Sequence, residues 1–339
     1  MDKVHFFIGI DMSSEFFTVS ILDSSTMKYT SLDNFENSIN GFQSLLSEFQ
    51  SIKLQKSDAI LCMESTGVYG EKLAYFLVSN DYKLVIENPL VVKKAFNPNK
   101  GKTDKIDSLQ IAEYAFRYFD KLKLWSPKEE IIEEIRMFLN QREQFSKQRI
   151  ANMNARKAIS KKQIQSPKAI SFYDEIITMM EEKIKTIDKE IISLIQKEPE
   201  VRQTFSNIVS IPGVGKILTF HLLVLTNGFT EHLDFKRLSS YLGIVPLPFQ
   251  SGTSIRKRNS SSGIGPSKIR KVIYMASLSA SLCNKELKNY FQRKVAEGKN
   301  KKLVINNISN KLIKIIIAII KNQKPYLKNF VSINPVFKK

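Results

Sequence analysis

The sequence is poor in the residues that mark several common classes of protein. Its 339 residues include two cysteines and three histidines. Cys62 and Cys283 stand far apart with no metal-ligand spacing, so we expect two buried free thiols in a reducing compartment. His5, His221 and His232 likewise show no spacing that indicates a metal site, and we interpret the first two as structural.

Long apolar runs are missing as well. The sequence has no run of about 18 uncharged apolar residues, which a membrane helix would need. The nearest candidate, residues 312–320, is short and contains Lys314. The first residues show no basic segment followed by an apolar stretch and a cleavage site. We therefore expect a cytoplasmic protein with neither a membrane span nor a secretion signal.

Acidic residues are scarce in the C-terminal part of the chain. Residues 201–339 hold 24 Lys and Arg against 4 Asp and Glu, whereas residues 1–125 and 126–200 are close to neutral. The formal net charge of +19 therefore arises almost entirely in the last two-fifths of the chain. This imbalance predicts a polyanionic partner for that part of the chain, with a solvated basic surface as the weaker alternative. The basic residues occupy many segments, which disfavours a single membrane-surface helix.

The hydrophobic pattern divides the chain into three predicted domains. Residues 1–125 alternate β-rich runs with helical spacing, which predicts a mixed α/β sheet. In residues 126–200, apolar residues recur every three or four positions, which predicts a coiled-coil hairpin of two antiparallel helices, with an ordinary bundle as the alternative. Residues 201–339 predict a basic, all-α domain. The predicted seam consists of Ile177, Met180, Ile184, Ile187, Ile191 and Leu194.

Four acidic residues occupy positions from which their side chains could converge. Asp11 and Glu64 end two predicted strands, and strand ends collect at one edge of an α/β sheet. Asp104 and Asp107 are three residues apart and so share one face of a predicted helix. Four close carboxylates need cations, and such oxygen ligands select Mg²⁺ or Mn²⁺ for phosphoryl transfer. Taken singly, each acid is better explained as a surface or capping residue, and only their joint placement favours a functional role.

A Pro-Gly-Val-Gly turn joins two apolar segments at residues 212–215. It resembles the hairpin of a helix-hairpin-helix motif. Its glycines, Gly213 and Gly215, would let the backbone approach a phosphate, which Lys216 and the first amide groups of the next helix would bind. A plain helix–helix turn is the alternative.

Three short segments together resemble a known family. They read Ile8-Gly9-Ile10-Asp11, Glu64-Ser65-Thr66-Gly67 and Lys102-Thr103-Asp104-Lys105-Ile106-Asp107. These three segments resemble the DEDD signature of a RuvC-like domain with an RNase H fold. More narrowly, they resemble the DEDD insertion-sequence transposases, which include bridge-RNA-guided recombinases and Piv-type DNA invertases. The resemblance implies that the four acids are catalytic metal ligands and that the polyanionic partner is double-stranded DNA in the nucleoid.

The segment from Leu242-Gly243 through Pro246 to Gly252 resembles the second domain of the same family. There, a serine that precedes a glycine becomes covalently joined to DNA, and the matching position is Ser251. Such an intermediate conserves the energy of the phosphodiester and permits rejoining. This chain departs from the family in lacking paired serines at this point, and Ser254 is the competing candidate.

The basic side chains around this serine are expected to contact phosphates, which would make binding strongly salt-dependent. They are Arg256, Lys257, Arg258, Lys268, Arg270 and Lys271. The resemblance implies a composite site of serine and acids within a homodimer or homotetramer and, for some members, a structured guide RNA. A hydrolytic RuvC-like nuclease or junction resolvase, and a non-catalytic nucleic-acid-binding protein, remain open alternatives.

Overall fold

The structure, a computed structural model, describes residues 4–96, 104–231, 233–251, 255–261 and 265–328. For residue 33 and residues 246–251 and 255–261 it describes the backbone alone. The chain divides into two compact units, Met1–Pro127 and Lys128–Lys339. The division into three domains stays a prediction.

One mixed sheet forms the centre of the first unit. In the described part of this unit its order is β3-β2-β1-β4-β5. β1 pairs antiparallel with β2 and parallel with β4, and the outer pairs continue these senses. This topology fits the predicted RNase H/RuvC-like domain. The strands are β1 (Phe6–Met12), β2 (Phe16–Asp23), β3 (Lys28–Glu36), β4 (Ala59–Glu64) and β5 (Leu84–Glu87).

Helices cover both faces of this sheet. On one face, α1 (Ile39–Ser51) and α2 (Glu71–Ser79) pack their apolar sides against β1, β2 and β4. On the other face lie α3 (Pro89–Ala95) and α4 (Asp104–Arg117). α1 begins at Ser38, whose hydroxyl oxygen accepts a hydrogen bond from the amide of Gly41, as an N-cap does.

Small side chains let α4 lie very close to the sheet. Ser20, Gly9 and Cys62 are neighbours across β2, β1 and β4. A Cβ atom on Gly9 would lie 2.0 Å from the backbone oxygen of Ser108 and 2.4 Å from the backbone nitrogen of Ala112. The buried hydroxyls of Ser20 and Ser108 share a hydrogen bond of 2.7 Å. Glycine is therefore required where α4 crosses β1.

Two long antiparallel helices, α5 (Glu130–Ile159) and α6 (Pro167–Lys197), begin the second unit. Ion pairs connect them at intervals of seven residues on both helices. The pairs are Arg142–Asp188, Arg149–Glu181 and Arg156–Asp174. The predicted seam is buried at Ile187, Ile191 and Leu194 and half-buried at its other members. The supercoiled packing of a coiled coil stays a prediction.

The rest of the second unit is helical with one β-hairpin. The hairpin of β6 (Pro246–Ser251) and β7 (Ile255–Ser261) stands where the sequence predicted only a loop between helices. β6 contains two prolines, which argue against a strand, and the polar, basic β7 lacks the apolar alternation by which strands are recognised. The helices are α7 (Pro199–Val209), α8 (Lys216–Leu225), α9 (Phe235–Tyr241), α10 (Ser267–Cys283), α11 (Lys285–Ala296) and α12 (Lys301–Asn322).

α12 is the core helix of this unit. Ile308, Leu312 and Ile313 on it are fully buried against the surrounding helices. Among the described residues it is also the one helix long and apolar enough to cross a membrane by length and composition. Its burial in the fold accounts for that composition.

The expectation of two buried thiols is wrong for one of them. Cys62 is buried under α4, whereas Cys283, the last residue of α10, is exposed. Its apolar neighbour Leu282 is exposed as well, so apolar flanks did not indicate burial here. His232 lies outside the described residues.

Gly9→Ala tests the contact between α4 and the sheet. The added methyl group would clash with backbone atoms of α4, and a change of side-chain rotamer cannot relieve this clash, so α4 would have to move away. We expect the free energy of unfolding to fall by about 1–3 kcal/mol in urea denaturation. Gly215→Ala is the matched control, because a Cβ atom there meets nothing within 4 Å, and its effect should be much smaller. Equal stabilities of Gly9→Ala and the wild type would contradict the contact.

Candidate active site

The structure brings the four predicted acids together in the first unit. Asp11 on β1 and Glu64 at the end of β4 lie on the sheet face that α4 covers. Asp104 and Asp107 extend from the first turn of α4. All four line one cavity of about 320 Å³. The close packing of α4 at Gly9 therefore also brings its first turn to the ends of β1 and β4.

Burial and mutual repulsion make this cluster electrostatically unfavourable. Burial, with smaller contributions from the charges of Asp107, Asp104 and Glu64, raises the pKa of Asp11 from 3.8 to about 6. Burial also raises the pKa of Glu64, which the ammonium group of Lys93 partly opposes. A cluster of this kind holds its charge readily only when cations neutralise it.

The donor set fits a hard divalent cation. All four groups offer carboxylate oxygens, which Mg²⁺ and Mn²⁺ prefer. Within the described residues, no three His, Cys, Asp or Glu side chains are grouped as ligands of a single ion. The cavity thus brings the carboxylates within electrostatic range of one another without fixing a coordination geometry.

The sequence analysis missed a cation in the same cavity. Lys93 lies in the last turn of α3 and lines the cavity together with Asn34 and Gln110. The sequence does contain a helix-start signal for α3. Pro89 occupies the first turn, and the N-cap residue Asn88 accepts a hydrogen bond at Oδ1 from the amide of Leu90. Had the helix been recognised, Lys93 would have been placed beside the strand end that carries Glu64.

Ser251 lies in the second unit, at the last position of β6. Its backbone pairs with Ile255 across the hairpin, and β7 then carries Arg256, Lys257 and Arg258. The residues between the strands, including Gly252 and Ser254, lie outside the described residues, as do Lys102 and Thr103 of the acidic motif. Ser251 thus borders a short connection next to a strongly basic strand.

The Pro-Gly-Val-Gly turn packs against another helix. Gly213 has a φ of +95°, and a Cβ atom on it would lie 2.4 Å from the backbone of Ala280 in α10. Gly215 caps α8 and borders open space. Lys216 Nζ lies 3.1 Å from Asp188 Oδ2. Gly213 therefore has a packing role in the fold, and phosphate binding by this turn stays a prediction.

The remaining predicted phosphate contacts differ in their surroundings. Lys268 Nζ lies 2.6 Å from Glu143 Oε2, and Arg270 Nη1 donates a hydrogen bond of 3.4 Å to the carbonyl of Leu242. Lys271 is exposed. A phosphate bound by Lys268 would therefore compete with an existing ion pair. In the same region, burial lowers the pKa of His221 to about 4, so this side chain is neutral.

Asp11→Asn tests the combined cost of burying this carboxylate and placing it near the other three. Because the pKa of Asp11 is about 6 in the folded protein and ordinarily 3.8, protonated Asp11 favours folding below 3.8, and this contribution is lost as the pH rises through 6. Without metal at about pH 7, the variant should be more stable by about 1–2 kcal/mol, after allowing for the partial exposure of the carboxyl group. Chemical denaturation in EDTA measures the difference.

Asp23→Asn is the matched control. The carboxylate of Asp23 accepts hydrogen bonds from Ser25 and Thr26, which lower its pKa. Removing that charge should therefore not stabilise the fold. A variant Asp11→Asn that is less stable than the wild type at neutral pH would show that burial and repulsion do not destabilise the ionised form of Asp11.

Comparisons with known proteins cover both units. A family model for the DEDD transposases of the IS110 type, described as "Transposase", matches residues 8–159. A second, described as "Transposase IS116/IS110/IS902 family", matches residues 206–292. The first match includes all four acids of the cavity, and the second includes Ser251.

Relatives match over different lengths of the chain. The pilin gene-inverting proteins of Moraxella bovis and Moraxella lacunata are each 31% identical over 326 residues, which cover 95% of this chain and 98% of theirs. An uncharacterized 43.6 kDa protein of insertion element IS110 from Streptomyces coelicolor is 23% identical over 146 residues, 43% of this chain and 35% of that protein. The chain therefore belongs to the IS110 family of transposases and Piv-type invertases, and it is a DNA-recombining enzyme.

Proposed function

We propose that this enzyme exchanges DNA strands through a covalent phosphoserine formed at Ser251, with divalent cations held by Asp11, Glu64, Asp104 and Asp107. The observation that carries the proposal is the convergence of four carboxylates from β1, β4 and α4 in one cavity, where burial and mutual repulsion raise the pKa of Asp11. Bound Mg²⁺ or Mn²⁺ would supply charge neutralisation and Lewis acidity at the scissile phosphate.

The covalent step conserves the phosphodiester energy. Ser251 Oγ forms a bond to the scissile phosphorus, and the bond from phosphorus to one deoxyribose oxygen breaks. The serine proton passes to a basic group, and the departing oxygen takes up a proton. A deoxyribose hydroxyl of another strand then attacks the phosphoserine and releases the serine. No external energy source is needed, because one P–O bond replaces another at each step.

The chain's basic groups serve to hold the DNA during exchange. Arg256, Lys257 and Arg258 follow Ser251 across the hairpin, so phosphates bound there would lie close to the nucleophile. Lys93 adds a positive charge to the carboxylate cavity, where it would attract a phosphate of the DNA. Such contacts position the backbone without reading its sequence.

A guide RNA and a homo-oligomer complete the proposal. The excess positive charge of residues 201–339 suits a structured RNA as well as DNA. Exchange between two DNA sites needs two nucleophiles at least, which a homodimer or homotetramer would supply. Both points also rest on the family resemblance.

Inversion of a DNA segment is the second candidate outcome. The similarity to pilin gene-inverting proteins extends over nearly the full length of both chains, which favours inversion as strongly as transposition. The two outcomes need the same serine and the same carboxylates, and they differ in which DNA ends are rejoined.

A covalent adduct tests the nucleophile. The purified protein is incubated with Mg²⁺ and a labelled plasmid that carries the DNA flanking its gene, then denatured and run on a gel. We expect a protein–DNA adduct that Ser251→Ala abolishes and that the matched control Ser254→Ala retains. Sequencing the plasmid products distinguishes inversion from transposition, and prior treatment with ribonuclease tests the requirement for RNA.

Two results would contradict the proposal. Adduct formation that depends on Ser254 would identify Ser254 as the nucleophile instead of Ser251. DNA cleavage that forms no adduct and persists in Ser251→Ala would identify a hydrolytic nuclease. Asp107→Asn should abolish the adduct as well, because it removes a carboxylate and leaves Ser251 in place.

A further inference from the structure

The second unit has a basic groove between α11 and α12. It encloses about 360 Å³ and shares no residue with the carboxylate cavity or with the β6–β7 hairpin. Its apolar members are Leu287 and Ile315. The polar residues that line it are Glu286, Tyr290, Arg293, Lys311 and Lys314. We call this set the α11–α12 groove.

Tyr290 orients two of the cations in the groove. Lys311 Nζ lies 4.6 Å from the centre of its ring, and Arg293 Cζ lies 5.9 Å from it. An aromatic ring attracts a cation through its quadrupole and carries no net charge of its own. Tyr290 therefore holds these side chains in place and leaves their positive charge available to an anion.

Carboxylates do not neutralise the groove. In the described part of the chain, Lys311 and Lys314 have no Asp or Glu partner within ion-pair distance. Arg293 reaches Glu297 only at 4.0 Å, and Lys294 holds that carboxylate at 2.7 Å. Glu286 is the one acidic residue among those that line the groove. The groove thus has an unbalanced positive charge.

The exposed side of α12 continues this charge along the helix. Lys311, Lys314 and Lys321 are exposed, and their spacing places them on one stripe. With a rise of 1.5 Å per residue, the stripe is about 15 Å long, which spans two or more phosphates of a DNA strand. The apolar side of α12 is buried in the unit, so the helix offers a bilayer little apolar surface to insert.

We propose that the α11–α12 groove binds the phosphate backbone of duplex DNA, independently of sequence, as a contact additional to the basic residues beside Ser251. This inference rests on the proposed function, in which duplex DNA is the substrate. Residues 285–328 hold 12 Lys and Arg against 2 Glu. α12 lies beyond residues 206–292, where the second family model matches.

Substitution of the three groove cations tests this site. The full chain with Arg293→Gln, Lys311→Gln and Lys314→Gln is titrated against a fluorescent DNA duplex of random sequence, and anisotropy is followed at several salt concentrations. We expect affinity at low salt to fall about tenfold or more, and the slope of log K against log salt to decrease by about 2–3, as expected for three lost phosphate contacts.

The matched control removes the same charge elsewhere. Lys183, Lys185 and Lys189 are exposed on α6, and their triple substitution by Gln should leave the slope nearly unchanged. Lys311→Arg with Lys314→Arg keeps the charge and should retain wild-type affinity. Tyr290→Leu should weaken binding more than Tyr290→Phe, which keeps an aromatic ring under both cations. Thermal melting verifies that each variant is folded.

Several outcomes would overturn the proposal. One is an equal loss of DNA affinity in the groove and control variants. The others are a loss of affinity for an RNA duplex of the same sequence, or for anionic phospholipid vesicles, without a loss of affinity for the DNA duplex. The adduct assay separates this failure from that of the proposed function. A groove variant should need more DNA for half-maximal adduct but reach the same final yield. If the wild-type protein forms no adduct at all, the proposed function is contradicted, whereas the measured DNA affinity of the groove still stands.

Discussion

The close contact between α4 and the sheet at Gly9 is the constraint on which the first unit depends. Sheet and helix meet here through Gly9, Ser20, Cys62 and Ser108. Backbone atoms of α4 occupy the space that a side chain at position 9 would need. This contact fixes the first turn of α4 beside the ends of β1 and β4. The acids on three elements therefore become one cluster because a single residue of β1 has no side chain.

The cluster formed in this way opposes folding. Burial and the other three charges disfavour the ionised form of Asp11, so the fold holds the carboxylates together against their repulsion. A site that binds hard cations has to do so, because carboxylates that already had cationic partners within the protein would have little affinity for an ion. Lys93 offsets this repulsion only in part.

The two units contribute opposite charges to the proposed chemistry. The first unit supplies the negative cavity, and the second supplies Ser251 within a basic hairpin and a basic groove on α11 and α12. Several cations of the second unit already have acidic partners, such as Lys216 with Asp188 and Lys268 with Glu143. Side chains that lack such partners, as in the α11–α12 groove, are better placed to bind phosphates, since no ion pair has to be broken.

The sequence predicted those features that depend on local pattern. Asp11 and Glu64 could be assigned to strand ends, and Asp104 and Asp107 to one helix face, because periodicity and short spacing indicate both. Register and packing between distant segments leave no local pattern. The ion pairs between α5 and α6, the position of Lys93 and the contact of Gly213 with Ala280 all depend on which residues meet after folding. The α11–α12 groove could not be predicted, because the sequence of α12 is mostly apolar. Its lysines form an exposed stripe only once the buried side of the helix is known.

Calorimetric titration with Mn²⁺ tests the central claim most directly, since it measures cation binding by the carboxylates without any DNA. The wild type should bind Mn²⁺, and affinity should weaken as the pH falls below about 6, where protons compete for Asp11, whose pKa is raised to about 6. Asp11→Asn combined with Asp107→Asn should abolish binding while the protein stays folded. Equal Mn²⁺ affinity of the wild type and this double variant would contradict the account.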